Sequence, residues 1–378
     1  MNAIITDAVI IIPNLSDEDQ VCDFLLQTAQ ILANTNVVVI PIFNKKARSH
    51  RNKDGIYFVK PTEVLPLRRF SIVNCLNKII FFVGLQLWLK IKYPRLRKKY
   101  VWMFFPHLAD LVRIKIPGWK IVFDIVDFHY SPSKKELVQI NTQKKLILKK
   151  SDAVFSISQP LKKINQPFAK KRIKVVPQGF DLESFKKNSQ LSKLKLPQAK
   201  PIIGFVGQMS ERLDFNLLNQ LIKNNPQWNF IFIGPVHHEP NVATDFNQKK
   251  LQLQISSLFK NKNAFHFERQ PKTEILSLLK KFDICLVPYD VGLPFNRYSY
   301  PMKIFEYFYA GKPIVSTPIE ALKQFPDLIA LSENDAEFTA AIKKILKKPW
   351  PKSKVEQQQE LAEKNSWESK LGQMSHYL

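Results

Sequence analysis

The chain has 378 residues, 57 of them Lys or Arg against 32 Asp or Glu, for a formal charge of +25. That length suits two domains of ordinary size, each with a core of its own, and excludes a small scaffold held by disulfides or a metal. The charge favours polyanions or an anionic membrane surface, but there is no helix-turn-helix, zinc or RNA-binding signature to point to nucleic acid as the partner.

Cys22, Cys75 and Cys285 stand far apart with no metal-ligand or redox spacing, which fits a reducing, cytoplasmic setting. The opening stretch MNAIITDAVIIIPN carries an aspartate and no basic residue before its apolar run, so it reads as a first strand and not as an export signal. Up to residue 176, β-branched runs alternate with helical patterns. AIITDAVIIIP, NVVVIPIF, IYFVK, YVWMFFP, KIVFDIVD, DAVFSIS and IKVVPQ read as strands, with DEDQVCDFLLQTAQILA and KKELVQINTQKKLILKK among the helices. This alternation predicts a parallel sheet covered on both faces, hence an N-terminal Rossmann-like domain over 1–176.

Within it, residues 70–99 form the longest apolar region, broken by Asn74, Asn77, Lys78 and Gln86 and followed by Lys90, Lys92, Arg95, Arg97, Lys98 and Lys99. No apolar run is long enough to span a bilayer. The region reads either as a core helix with a solvated end or as a helix lying on an anionic membrane, and the basic loop NKKARSHRNK (44–53) adds to the second reading.

A polar, lysine-rich stretch with Pro197 makes 177–200 a linker. The pattern restarts with PIIGFVGQ, NFIFIGPV, NAFHFER, FDICLVPY, KPIVST and DLIALS, a second Rossmann-like domain over 201–360. The expected fold class is therefore α/β, two doubly wound domains facing across a cleft at the carboxyl ends of their strands. The tail 361–378 reads as an amphipathic helix with Trp367 and Leu371 on one side, packing on its own domain or crossing back to the first.

No glycine lies in the turn after the first strand, so a dinucleotide fingerprint is absent. Gly204 falls inside the first strand of the second domain and Gly207 at its end, where backbone could approach a phosphate or simply turn tightly. In YSYPMKIFEYFYAGKPIVS, Pro301 opens a helix and Gly311 closes it, with Lys303 and Glu306 three apart on one face. Lysine in a first helical turn opposes the macrodipole unless an anion shares the site, and Glu306 offers two acceptors suited to ribose hydroxyls; the alternative is a surface ion pair. His237, His238 and Glu239 form a turn without a third ligand at metal spacing, so no metal is assigned.

From VVPQGFDLESF through IIGFVGQ and FHFERQPKTEILSLLKKFDICLVPY to PMKIFEYFYAGKPIVST, residues 171–331 resemble the two-domain GT-B glycosyltransferases, in particular the retaining family 4, or group 1. The resemblance implies that Glu306 holds the donor ribose, that Lys303 reaches the diphosphate and that Gly207 and Gln208 lie beneath the phosphates. It implies that Arg269, Gln270 and Pro271 border the base, with Tyr289 and Pro301 lining the same site. Two positions depart from the family pattern. Tyr298 stands where a first glutamate is usual, leaving Asn296 and Ser299 as substitutes, and Arg212 stands out of the usual register of an Arg and Lys pair.

In the first domain, IVFDIVDFHYSPSKK resembles a related acceptor-side stretch and makes Asp127 and His129 candidates to orient the acceptor and relay its proton, against a helix cap and a surface histidine. His107 is a weaker third candidate. The expectation is transfer of a hexose from a UDP-linked or other nucleotide sugar to a glycan or lipid-linked acceptor in polysaccharide biosynthesis, with retention. No cofactor or metal is expected, and the enzyme would work at the inner face of the membrane. The alternative is a catalytically silent GT-B-like subunit that binds an acceptor protein or a sister transferase.

Overall fold

The computed structural model describes residues 7–12, 23–42, 48–61, 71–113, 118–131, 133–187, 191–197, 201–239 and 247–378. The turn that follows the first strand and residues 44–47 of the basic loop 44–53 lie outside them. The chain divides into two compact units: Met1–Val126, Val138–Pro177 and Trp367–Leu378 form one, Asp127–Leu137 and Gln178–Ser366 the other.

Unit 1 is built on β1 (Ala8–Ile11), β2 (Val37–Pro41), β3 (His50–Arg51), β4 (Tyr57–Val59), β5 (Lys98–Met103), β6 (Lys120–Ile125), β7 (Ala153–Ser156) and β8 (Lys174–Val175). Their order is β3-β4-β2-β1-β5-β6-β7-β8, parallel throughout except where β3 runs antiparallel to β4. Runs such as Val9, Ile10 and Ile11, or Val38, Val39 and Ile40, are buried on both faces, as helices on each side of a parallel sheet require.

The last helix, Trp367–Ser375, belongs to this unit and packs against the helix Asp23–Ala33. Its Lys370 ammonium lies 3.0 Å from Asp124 of β6, both side chains sealed from solvent. Desolvation pulls the Lys370 amine below its ordinary range, and Asp124 opposes that shift. Tyr100 and Lys120 both donate to the carbonyl oxygen of Leu378, fixing the far end of the tail.

Unit 2 carries β9 (Ile202–Val206), β10 (Asn229–Ile233), β11 (Ala264–Phe267), β12 (Ile284–Val287), β13 (Ile314–Ser316) and β14 (Ile329–Leu331). The order β11-β10-β9-β12-β13-β14, all parallel, reverses direction between β9 and β12. In open α/β sheets that reversal leaves a crevice at the carboxyl ends of the two strands. Gly204 in β9 is needed for packing, since a Cβ there would fall 2.1 Å from the Phe282 ring.

The segment Asp127–Leu137, read from the sequence as part of the first domain, groups with unit 2. One cause is local: Phe128 stacks on Tyr298 with ring centroids 5.1 Å apart.

Candidate functional site

At the carboxyl ends of β9 and β10 the backbone turns through Gly207 and Gly234, whose φ angles of +144° and +145° suit glycine alone. Gly207 donates its N–H to Ile233, and Gly234 donates to Phe267. A Cβ on Gly234 would sit 2.1 Å from the Gly207 carbonyl oxygen, so the two turns pack backbone to backbone.

Above Gly207 stands the helix Lys303–Tyr309. Its position is set by Tyr307, a buried side chain whose hydroxyl accepts the Val206 N–H at 3.0 Å. Pro301 is buried ahead of it and accepts from Ile304, while Gly311, at φ +67°, lets the chain leave toward β13. The helix therefore aims Lys303 back over the end of β9. Its ammonium lies 3.7 Å from the centre of the Phe205 ring and 5.2 Å from that of Tyr289.

In place of the alternative ion pair with Glu306, Lys303 makes these ring contacts and a hydrogen bond to the Tyr289 hydroxyl. Desolvation lowers the Lys303 amine below its ordinary value, with nearby Arg212 adding to the effect and Tyr289 and Glu306 opposing it. Burial raises the Tyr289 phenol, but the Lys303 and Arg212 cations outweigh it and bring the group below its usual value. Glu306, one turn beyond Lys303, is pushed up to about 7 by burial, against the pull of Lys303 and Lys272.

Arg212 reaches the same place from the loop that follows β9. Its guanidinium covers the Tyr289 and Phe295 rings at 4.5 and 4.8 Å and donates to the Asn296 side-chain oxygen at 3.0 Å. Asn296, fully buried, returns two bonds from its amide nitrogen to the carbonyls of Arg212 and Asp290. Ser299 is buried beside it and donates to the Asn296 carbonyl at 2.8 Å. These contacts make Asn296 and Ser299 the support of Arg212.

Asp127 faces this cluster. Burial raises its carboxyl to about 6, while Arg212 pulls it down and Glu239 pushes it up. His129 follows on the same segment, half-buried. His107 lies in unit 1, in a 3₁₀ turn stacked on Phe105.

A second layer braces the loops. Glu211, whose side chain is sealed from solvent, is hydrogen-bonded to His238 Nδ1 and accepts the Glu239 N–H at 2.8 Å. The Glu239 carboxylate accepts the Gln208 amide at 2.8 Å. Arg269 is exposed, Gln270 donates to the Glu268 carbonyl, and Pro271 starts the helix Lys272–Lys280, so these three stand at the carboxyl end of β11, apart from the contacts of Lys303.

Sequence reasoning missed Glu211 and Gly234 and set Arg212 aside for its register. Gly234 had a visible signal, a Gly-Pro pair closing a buried strand as Gly207 closes its neighbour. Glu211 had none, because an acidic residue between two loops looks solvated until the loops meet. Among the described residues no group of three or more His, Cys, Asp or Glu side chains could hold a metal ion.

Residues 186–365 match the family described as Glycosyl transferases group 1. TuaH of Bacillus subtilis (strain 168), assigned to teichuronic acid biosynthesis as a glycosyltransferase, is 24% identical over 296 residues, 74% of this chain and 70% of that protein. The structure of Anabaena HepE (Alr3699) in complex with UDP and glucose shares the fold with a TM-score of 0.68 at 14% identity, covering 97% of each chain. A glycosyltransferase from Rickettsia africae ESF-5 has a TM-score of 0.70 at 14% identity, covering 98% of this chain and 97% of the other. Residues 186–365 thus carry the group 1 glycosyltransferase pattern, and the chain, with its two mainly parallel sheets, shares the GT-B fold of these glycosyltransferase structures.

Proposed function

We propose that this glycosyltransferase moves a hexose from a UDP-sugar to a glycan or lipid-linked acceptor in cell-surface polysaccharide assembly, with retention at the anomeric carbon, at the cytoplasmic face of the membrane. The observation that carries the reading is the meeting of Gly207, Lys303, Arg212 and Tyr289 where the order of the unit 2 strands reverses. Two cations, partly desolvated beside a backbone without a Cβ, make a site for a diphosphate. The UDP and glucose held by the Anabaena structure and the teichuronic acid assignment of the Bacillus protein support the choice of donor and product class.

In this reading the bond from the anomeric carbon to the diphosphate oxygen breaks as the acceptor oxygen bonds the same face of that carbon. Lys303 and Arg212 stabilise the negative charge that collects on the departing diphosphate, in place of a divalent ion. Glu306 accepts the ribose hydroxyls. Asp127 orients the acceptor hydroxyl, whose proton passes to the leaving phosphate, and His129 borders that path. Gln208, Arg269, Gln270 and Pro271 line the nucleotide, and Asn296 and Ser299 act through Arg212.

The test is to incubate the protein with UDP-hexoses and a membrane extract, following UDP release and the anomeric configuration of the product by NMR, with and without EDTA. Turnover with retention that survives EDTA supports the proposal. Turnover with inversion, or only with other nucleotides, overturns its finer parts.

A further inference from the structure

The helix Ser71–Lys92 of unit 1 packs on its domain through Phe82, Leu85 and Leu89, which are 2, 6 and 4% exposed. Its other face is not polar. Leu76, Ile80, Val83, Leu87 and Ile91 stand 42, 40, 54, 58 and 82% exposed, at spacings of three and four that put them in one stripe. Gly84 lies beside this stripe, and a Cβ there would meet nothing within 4 Å. Yet no helix among the described residues is long and apolar enough to cross a membrane.

The end of the stripe is chemically distinct. Trp88, Tyr57 and Tyr93 gather around Lys92, whose ammonium lies 5.1, 4.9 and 5.8 Å from their ring centres, and the two tyrosine hydroxyls are 2.6 Å apart. Beyond them Lys90, Arg95, Arg97 and Lys98 are all exposed. On the flanking hairpin Arg51 covers Tyr57 at 5.1 Å, and Lys53 and Lys60 are exposed. Apolar stripe, amphipathic aromatics and cations thus adjoin at the end of this helix, the three chemistries that acyl chains, interface and anionic headgroups of a leaflet accept.

We infer that this face of unit 1 docks the enzyme on an anionic phospholipid leaflet, with the helix lying in the interface and its stripe from Leu76 to Ile91 seated among the acyl chains. Charge selects that occupant. A second copy of this chain, at +25, would bring like charge against the basic end of the stripe, whereas anionic headgroups complement it. The stripe supplies insertion, and the cations supply lipid selectivity. This inference is independent of the donor assignment in unit 2 and can fail without it.

The experiment is co-sedimentation of the full chain with vesicles of phosphatidylcholine, with and without phosphatidylglycerol, at low and high salt. The wild type is expected to pellet with the phosphatidylglycerol vesicles and to retain part of that binding at high salt. Val83→Glu with Leu87→Glu should lower the bound fraction at least about tenfold, because two buried-acyl contacts become charges, and Lys90→Gln with Arg95→Gln and Arg97→Gln should remove the preference for phosphatidylglycerol. Unchanged circular dichroism shows that each variant is folded. A wild type that stays in solution with both vesicles overturns the inference. So does binding that salt abolishes and that the glutamate variant leaves intact, which would be charge adsorption alone, or a wild-type dimer that the glutamate variant converts to monomer, which would mean that a second copy covers the face.

Discussion

Lys303 reaches across to Gly207: a Cβ at residue 207 would lie 2.3 Å from the lysine ammonium, so the glycine makes the room in which the cation stands. The backbone there also holds φ at +144°, so two demands converge on the absence of a side chain. In the proposed donor site this leaves a cation and an unobstructed backbone facing the same small volume.

Gly207→Ala tests that convergence. The unfavourable backbone costs about 1–3 kcal/mol of stability, and Lys303 must also move. We expect a lower Tm together with loss of UDP binding. In contrast, alanine at the exposed Gly84, where nothing lies within 4 Å, should leave both unchanged. Thermal unfolding with and without UDP reads both effects.

Asn296→Ala should slow transfer by about 10- to 100-fold, because Arg212 loses the acceptor that fixes its guanidinium. If Asn296 acts only through Arg212, the double variant with Arg212→Ala should be no slower than Arg212→Ala alone. Additive losses in kcat would show that Asn296 has a separate role.

The carboxyl of Glu306, raised to about 7 by burial, sets a pH dependence. Its folded value lies above its unfolded one, so between roughly pH 4 and pH 7 the native state binds more protons and stability falls as pH rises. Glu306→Gln should therefore stabilise the empty protein at pH 8 by about 1–2 kcal/mol, after allowance for solvent screening, and have little effect at pH 4. Urea midpoints at the two pH values check the sign. An equal shift at both would show that charge at Glu306 is not the cause.

In unit 1, Lys370→Met leaves the Asp124 carboxylate buried without its counter-ion and should cost about 3–5 kcal/mol. Adding Asp124→Leu should recover most of that loss, as measured by the urea midpoint. Failure of the second change to rescue the first would mean that the pair does more than neutralise its own charge.

The fold was largely legible in the sequence. Every stretch read as a strand overlaps one of the observed strands, because fully buried parallel strands leave dense β-branched runs. β3 escaped, being two exposed residues, His50 and Arg51, held only by their antiparallel partner. Lys303, Glu306 and Gly207 were visible through the family pattern, but their geometry was not. Spacing of three suggests an ion pair, and only the structure shows Phe205 and Tyr289 drawing the lysine away. Glu211 and the pairing of Lys370 with Asp124 depend on segments far apart in the chain, 27 residues for Glu211 and His238, and no local pattern encodes them.

Calorimetric titration of the protein with UDP, beside Lys303→Ala and Glu306→Ala, tests the proposed donor site directly. Saturable binding at a single site is expected, weakened by each change at least about tenfold, or ~1.4 kcal/mol. No binding of UDP by the folded wild type, or binding that neither change weakens, would contradict it.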